Sequence, residues 1–202
     1  MVREAAYDEV FDSQCHFRSI LDSMARPGKI NDLKRLGFEP PQSLLSATTA
    51  VCLSLLNQDV SFYMARGNPA SEEFLKVNTG SRSADLEEAD FIIVDEDESP
   101  DLVRLVKEGL LTYPEEGATI ILQTKGFEDE QADGFQGIRL EGPGIDGVME
   151  LHVRGLGLEW IEALRAKNSE FPLGVDLILV SDSEPGEEKV ACIPRSSRIH
   201  PI

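Results

Sequence analysis

Cysteine is scarce in this chain of 202 residues: Cys15, Cys52 and Cys192 stand far apart and are odd in number. Neither a disulfide framework nor a C-x-x-C metal site can be written from them, and a reducing compartment is the simpler setting. Histidine is as rare, with only His16, His152 and His200. None belongs to an H-E-x-x-H pair, and G-x-S-x-G and G-x-x-x-x-G-K-[ST] are also missing, which removes the familiar zinc-hydrolase, serine-hydrolase and P-loop signatures. Cys15 and His16 are adjacent, but neighbours on a helix point about 100° apart and chelate poorly. Positive charge is short too: 19 Lys and Arg against 37 Asp and Glu leave a net charge of −18. Phosphate backbones and anionic lipid surfaces repel such a chain on average. No run approaches the ~20 apolar residues of a membrane span, and the first ten residues carry Arg3, Glu4, Asp8 and Glu9 in place of a signal-peptide core. The expectation is a cytoplasmic chain with no nucleic-acid or membrane partner.

What is there suffices for a core. Hydrophobic residues make up 41% and charged residues 28%, ordinary for a globular protein, and at this length about 70% of the unfolded surface is buried. No linker or internal repeat divides the chain, so residues 1–202 are expected to form one domain.

The spacing of Phe17, Ile20, Leu21 and Met24 predicts an amphipathic helix from Ala5 to Ala25, stopped by Arg26-Pro27-Gly28. Ser43 to Leu56 reads as a second helix, Val60 to Ala65 as a strand, and Asn68 to Val77 as a short helix ending before Asn78-Thr79-Gly80. Asp90 to Asp95 is a buried strand; Ser99-Pro100 opens a helix to about Leu110; Ala118 to Gln123 is the next strand. This β-α-β order argues for parallel pairing and an α/β architecture. Lys125 to Gly137 reads as a surface loop, Gly137 to Val153 as strands exposed on one face, Leu158 to Ala166 as a helix, and Val175 to Val180 with Lys189 to Ile193 as a hairpin.

Few constellations carry chemistry. Gly142-Pro143-Gly144-Ile145-Asp146-Gly147 fits G-x-G-x-x-G, but Val148 to Val153 is strand-like where the motif needs a helix, so a tight turn is the better reading than a dinucleotide site. None of the seven lysines stands in an apolar stretch that would depress its pKa; Lys76 is the least implausible Schiff-base former. His152 reads as a surface residue on a strand. The acidic runs Asp95 to Glu98, Glu128 to Glu130 and Glu184 to Glu188 read as solvated turns. Arg18, Arg26, Arg195 and Arg198, the last two placed after the final strand, are left either as a convergent anion site or as partners for the abundant carboxylates.

Five segments add a resemblance. Phe17-Arg18-x-Ile-Leu-Asp-x-Met24-Ala-Arg-Pro27-Gly28, Tyr113-Pro-Glu-x-Gly-Ala118-Thr, Leu140-x-Gly-Pro-Gly144-Ile, Phe171-Pro-Leu-Gly-Val-Asp176-Leu-Ile and Ile193-Pro194-Arg195-Ser-Ser-Arg occur in order across nearly the whole chain. Together they resemble the H subunit of the bacterial carbon-phosphorus lyase system for phosphonate use. The resemblance implies a mixed, partly parallel sheet with helices on both faces, similar to the pyridoxal-phosphate-dependent transferase fold but without that cofactor. It implies a place in a core complex with G, I and J subunits that makes ribose 1-methylphosphonate 5-triphosphate from ATP, and a homodimer. It assigns no catalytic residue, cofactor or metal to this chain. Arg18, Arg26, Asp176 and Arg195 become ligand or interface candidates, and Pro27, Gly28, Gly142, Gly144 and Pro194 backbone-shaping residues. Where many members carry His-Thr, this chain has Asn78-Thr79, which leaves that loop a binding role without an imidazole. The competing expectation is a stand-alone enzyme or binding protein for an anionic phosphorus compound.

Overall fold

The computed structural model describes residues 6–128, 132–182 and 186–202. In chain order the elements are α1 (Phe11–Ala25), β1 (Asn31–Asp32), α2 (Ser46–Leu55), β2 (Ser61–Met64), α3 (Pro69–Thr79), β3 (Arg82–Ser83), β4 (Phe91–Asp95), α4 (Leu102–Leu105), β5 (Thr119–Thr124), β6 (Gly126–Glu128), β7 (Phe135–Glu141), β8 (Met149–Arg154), α5 (Leu158–Lys167), β9 (Asp176–Asp182), β10 (Glu188–Ile193) and β11 (Arg198–Pro201).

The larger sheet has the order β1-β10-β9-β5-β4-β2-β3. Its strands from β9 to β3 are parallel, while β10 and β1 run antiparallel at one side. Alternation in each inner strand sends side chains to two separate cores. Ile93, Ile121, Ile178, Val180, Val190 and Cys192 pack with Ile20 of α1, Val51 of α2 and Leu75 of α3. Ile92, Val94, Ile120, Leu122, Leu177, Leu179, Ala191 and Ile193 pack on the other face with Val103 of α4, Trp160, Ile161 and Leu164 of α5, and Ile138, Leu140, Leu151 and Val153. The last four belong to a second, antiparallel sheet, β11-β7-β8-β6. The architecture is mixed α/β with helices on both faces of the main sheet, as a near-continuous apolar run in each central strand requires.

Several boundaries differ from the sequence reading. The expected start of the first helix at Ala5 lies outside the described residues, and α1 begins only at Phe11. Its buried face is His16, Ile20 and Ser23, while Phe17 and Leu21 are 44% and 54% exposed; the apolar stripe is turned partly outward. The helix expected to reach Leu110 is a single turn, because Val106 is already extended. Asn78 and Thr79 are the last residues of α3, whose C-cap is Gly80 in the left-handed region. The expected loop from Lys125 contains β6, and β11 is an addition to the sequence reading: Arg198 opens a strand that pairs with β7.

His16 fixes α1 in place. Its Nε2–H donates to the Lys34 carbonyl at 2.6 Å, so Nδ1 accepts from the Tyr7 hydroxyl at 3.1 Å; that hydroxyl also meets Ser54 Oγ of α2 at 3.0 Å. Burial holds the imidazole below its ordinary pKa of 6.5. The folded state thus disfavours the protonated ring, so its contribution to stability is complete above about pH 6.5 and is lost as pH falls through that value towards the lower folded pKa. Urea midpoints taken at about pH 7.5 and 5.5 are expected to fall further for the wild type than for His16→Gln.

Candidate functional site

The five sequence segments that carry the resemblance converge at one corner of the fold, beside the N-terminal end of β9. Asp176 is the first residue of β9 and Arg195 follows the end of β10, its antiparallel neighbour. The Arg195 guanidinium donates to Asp176 Oδ2 through Nη2 at 2.6 Å and through Nε at 3.2 Å. Its other N–H groups reach the carbonyls of Pro114 at 2.5 Å and Gly117 at 3.3 Å, and its backbone N–H donates to Asp176 Oδ1 at 2.8 Å. One side chain therefore ties together the turn before β5, the start of β9 and the turn after β10. Such a planar fork is what arginine supplies and lysine cannot.

The other segments arrive by backbone approach. The Gly28 amide donates to the Cys192 carbonyl at 3.0 Å, and a Cβ on Gly28 would lie 2.8 Å from Leu140 Cδ1. Gly144 lies so close under the Ala25 carbonyl that a Cβ there would overlap the oxygen, and a Cβ on Gly142 would come within 3.0 Å of the Ser196 carbonyl oxygen. The G-x-G-x-x-G stretch is accordingly a turn between β7 and β8, and no helix follows it to face a pyrophosphate.

A cleft of about 550 Å³ opens beside this corner, between the end of α5, Phe171 and the segment Arg195 to His200. Asn168, at the C-terminus of α5, shapes one wall by bonding both backbone groups of Val175, at 2.8 and 3.0 Å.

The opposite edge of the sheet, where open α/β sheets usually bind ligands, is filled by the protein itself. Gln123 at the end of β5 accepts from the Leu45 amide at 2.8 Å and Thr48 Oγ1 at 2.6 Å, and its amide group donates to the Asp95 carboxylate and to the Ser43 carbonyl. The Asp182 carboxylate takes the free amides of Ser46 and Ala47 at 2.5 and 3.0 Å, and so occupies the start of α2. Burial pushes the Asp182 carboxyl above its ordinary range, aided by Glu188 and opposed by those two amides. Gln123→Leu is expected to cost about 2 kcal/mol in a urea titration, because it strands the Thr48 hydroxyl and the Leu45 amide.

A family model described as "Bacterial phosphonate metabolism protein (PhnH)" matches residues 5–200. The chain belongs to this family. It is 28% identical over 195 residues to "Alpha-D-ribose 1-methylphosphonate 5-triphosphate synthase subunit PhnH" of Rhizobium meliloti (strain 1021), covering 95% of this chain and 92% of the relative. It is 31% identical over 187 residues to "Putative C-P lyase subunit protein HtxG" of Stutzerimonas stutzeri, covering 93% and 85%.

Within this PhnH-family chain the candidate residues separate. Asp176, Arg195, Gly142, Gly144, Pro27, Gly28 and Pro194 lie at the convergent corner. Arg26 stands next to it but is exposed and pairs with Asp22, one turn back on α1. Arg18 is exposed on α1, with no ion pair among the described residues. Thr79 bonds the Leu75 carbonyl at 2.7 Å and Asn78 the Phe74 carbonyl at 2.8 Å, finishing α3. They lead into β3, four strand positions from β9 or roughly 19 Å across the sheet.

Other expectations are corrected. His152 is buried at 4% exposure, because β8 is an inner strand and Ile202 packs over Gly137 beside the ring. Asp95 is bound to Gln123, and Glu188 is buried, so neither acidic run is purely solvated surface; Asp129, Glu130 and Glu184 lie outside the described residues. Lys76 pairs with Glu72 at 3.6 Å. No helix among the described residues is long and apolar enough to cross a membrane, and no group of three His, Cys, Asp or Glu there is arranged to hold a metal. The sequence reading missed Gln123 and Asp182. A glutamine ending an otherwise apolar strand was the one visible signal.

Proposed function

We infer that this chain acts as a non-catalytic, assembly-forming subunit of a carbon-phosphorus lyase complex in the cytoplasm, required for making ribose 1-methylphosphonate 5-triphosphate, and that it contacts G-, I- and J-type subunits and a second copy of itself. The observation that carries the reading is the family match over residues 5–200, joined to relatives whose names are those of subunits. A main sheet related to the pyridoxal-phosphate-dependent transferases, but adapted away from the cofactor, belongs to the same reading. It is supported by the Asp182 carboxylate at the start of α2, a place where a phosphate would otherwise bind. Exposed Leu105 at the end of α4, exposed Leu110, Leu111 and Tyr113 between α4 and β5, and exposed Phe11, Phe17 and Leu21 on α1 are apolar surface of the kind that subunit contacts bury.

Co-expression of the tagged chain with G-, I- and J-type subunits tests it. Co-elution in one complex, with growth on methylphosphonate abolished by deleting the gene, is the expected result. Elution of the chain alone together with unimpaired growth would overturn the reading.

A further inference from the structure

Asp182 and Glu188 close the ladder between β9 and β10 as directly opposite residues. Opposite residues of an antiparallel pair share a face, with Cβ atoms about 5 Å apart, so two carboxylates stand side by side. The face is the one on which Val180 and Val190 pack against α1 and α2. Glu188 is 4% exposed, and its Oε2 has no hydrogen-bond partner. Asp182 is half-buried and commits its own oxygens to the Ser46 and Ala47 amides. Neither carboxylate enters an ion pair among the described residues.

The elements packed around the pair supply no counter-charge. The start of α2 offers its two amides, and that helix carries no charged side chain. From β5 comes the neutral Gln123, and Leu33 meets the backbone of Glu188 beyond β1. Lys189 follows Glu188 on β10 but faces the other side of the sheet. On α1, Asp12 and Asp22 are bound by Lys34, Lys29 and Arg26, and His16 is held by Tyr7 and the Lys34 carbonyl. Arg18 lies two residues from both His16 and Ile20, on the far side of that helix. Arg35 and Glu39, in the loop before α2, are exposed. Burial pushes the Cys52 and Cys192 thiols up, so neither adds a charge. Two like charges withdrawn from water without a cation are each costly, and the usual resolution is that one of them stays protonated. Burial and the neighbouring Glu188 both act in that direction on the Asp182 carboxyl.

We propose that the folded protein holds one proton between Asp182 and Glu188 at neutral pH, and that this proton is a switch on the anchoring of α2. With the proton in place, the O–H of one carboxyl meets an oxygen of the other, and Asp182 still accepts from both amides. Once it is lost, two anions face each other across the ladder and push Asp182 from the start of α2. The switch does not depend on the assembly reading. Unfolded carboxyls titrate near pH 4, so folding takes up a proton between about pH 4 and the higher folded value. The stabilisation is complete below about pH 4 and is lost as pH rises through the folded value, about tenfold in the folding constant per pH unit. His16 acts in the opposite sense, and a variant that keeps it cancels its share.

Urea titrations of the wild type and Glu188→Gln between about pH 5 and 8.5 test the proposal, because glutamine keeps the shape and the donor of a protonated glutamate. The folding constant of the wild type is expected to fall by about tenfold or more relative to Glu188→Gln over that range. Hydrogen-exchange protection of the Ser46 and Ala47 amides is expected to fall with it. Carboxyl-carbon NMR of the wild type, which needs no variant, is expected to show the pair titrating with one apparent midpoint above about pH 5.5. Parallel pH profiles for the two proteins, or both carboxyls fully titrated below about pH 5, overturn the proposal. So does a magnesium salt that restores the wild type at the alkaline end beyond sodium chloride of equal ionic strength, with Glu188→Gln unmoved: a bound cation then neutralises the pair in place of a proton.

Discussion

Replacing Arg195 with alanine is expected to lower the free energy of unfolding of the isolated chain by about 3 to 5 kcal/mol. The side chain is largely enclosed, and its removal leaves the Asp176 carboxylate facing only the backbone N–H of position 195, strips the Gly117 carbonyl of its arginine donor and leaves the Pro114 carbonyl with the Gly117 N–H alone. Each of those losses has the sign of an uncompensated buried polar group, and the carboxylate dominates. Asp176→Ala removes the other half and is expected to cost a similar amount, because it strands the guanidinium. The double variant Arg195→Met/Asp176→Leu is expected to be less damaging than the sum of the two single changes, since neither charge is then left alone. Urea titrations of the four proteins measure the coupling directly. A loss below about 0.5 kcal/mol for Arg195→Ala would mean that the pair behaves as an exposed salt bridge. The sequence reading placed this arginine at a ligand or an interface; the bonds it makes place its first effect in the stability of the fold, and any effect on association comes from losing the corner it organises.

The alternation of buried residues was legible where strands run through the middle of the sheet, because burial on both faces demands unbroken apolar runs such as Phe91-Ile92-Ile93-Val94 and Leu177-Ile178-Leu179-Val180. The outward turn of α1 was not. Phe17 and Leu21 satisfy helical spacing as well as Ile20 and Met24 do, and only the positions of His16 and Ser23 decide which side faces the sheet. His16 is held in its buried place by two hydrogen bonds that no periodicity records. The short α4 was hidden for a similar reason. Ser99-Pro100-Asp101 is a good helix start, but Val106 extends to pack in the core after one turn, a tertiary preference that overrides local propensity. For the site, sequence order could name the five segments but not that they meet. Their meeting depends on β9 and β10 lying side by side in the sheet and on glycines that let one backbone touch another. Arg165 gave no signal at all, since on α5 it reads as one more charge on a solvated face; that it lines the cleft is a matter of tertiary packing.

Gly144→Ala should show how much of that meeting rests on close backbone approach. Gly144 has φ +83° and lies directly beneath the carbonyl oxygen of Ala25, with Pro27 Cδ close by. Gly147, three residues on in the same turn, has φ +79° and nothing within 4 Å of where a Cβ would stand. An alanine at Gly147 therefore meets only the left-handed backbone cost, about 1 to 2 kcal/mol. At Gly144 the same cost applies and the Cβ must also displace a backbone carbonyl, which cannot move aside as the end of a flexible side chain would. The expected loss at Gly144 is about 3 kcal/mol or more in urea titration, roughly double that at Gly147. The displaced element is the end of α1, which carries Pro27 and Gly28 against Leu140, Met149 and the Cys192 carbonyl. Amide hydrogen exchange should accordingly rise at the Gly28 amide in Gly144→Ala and remain at the wild-type rate in Gly147→Ala. Equal losses for the two variants, with unchanged exchange at Gly28, would mean that the turn gives way without disturbing the helix end, and that the two segments lie side by side without depending on each other.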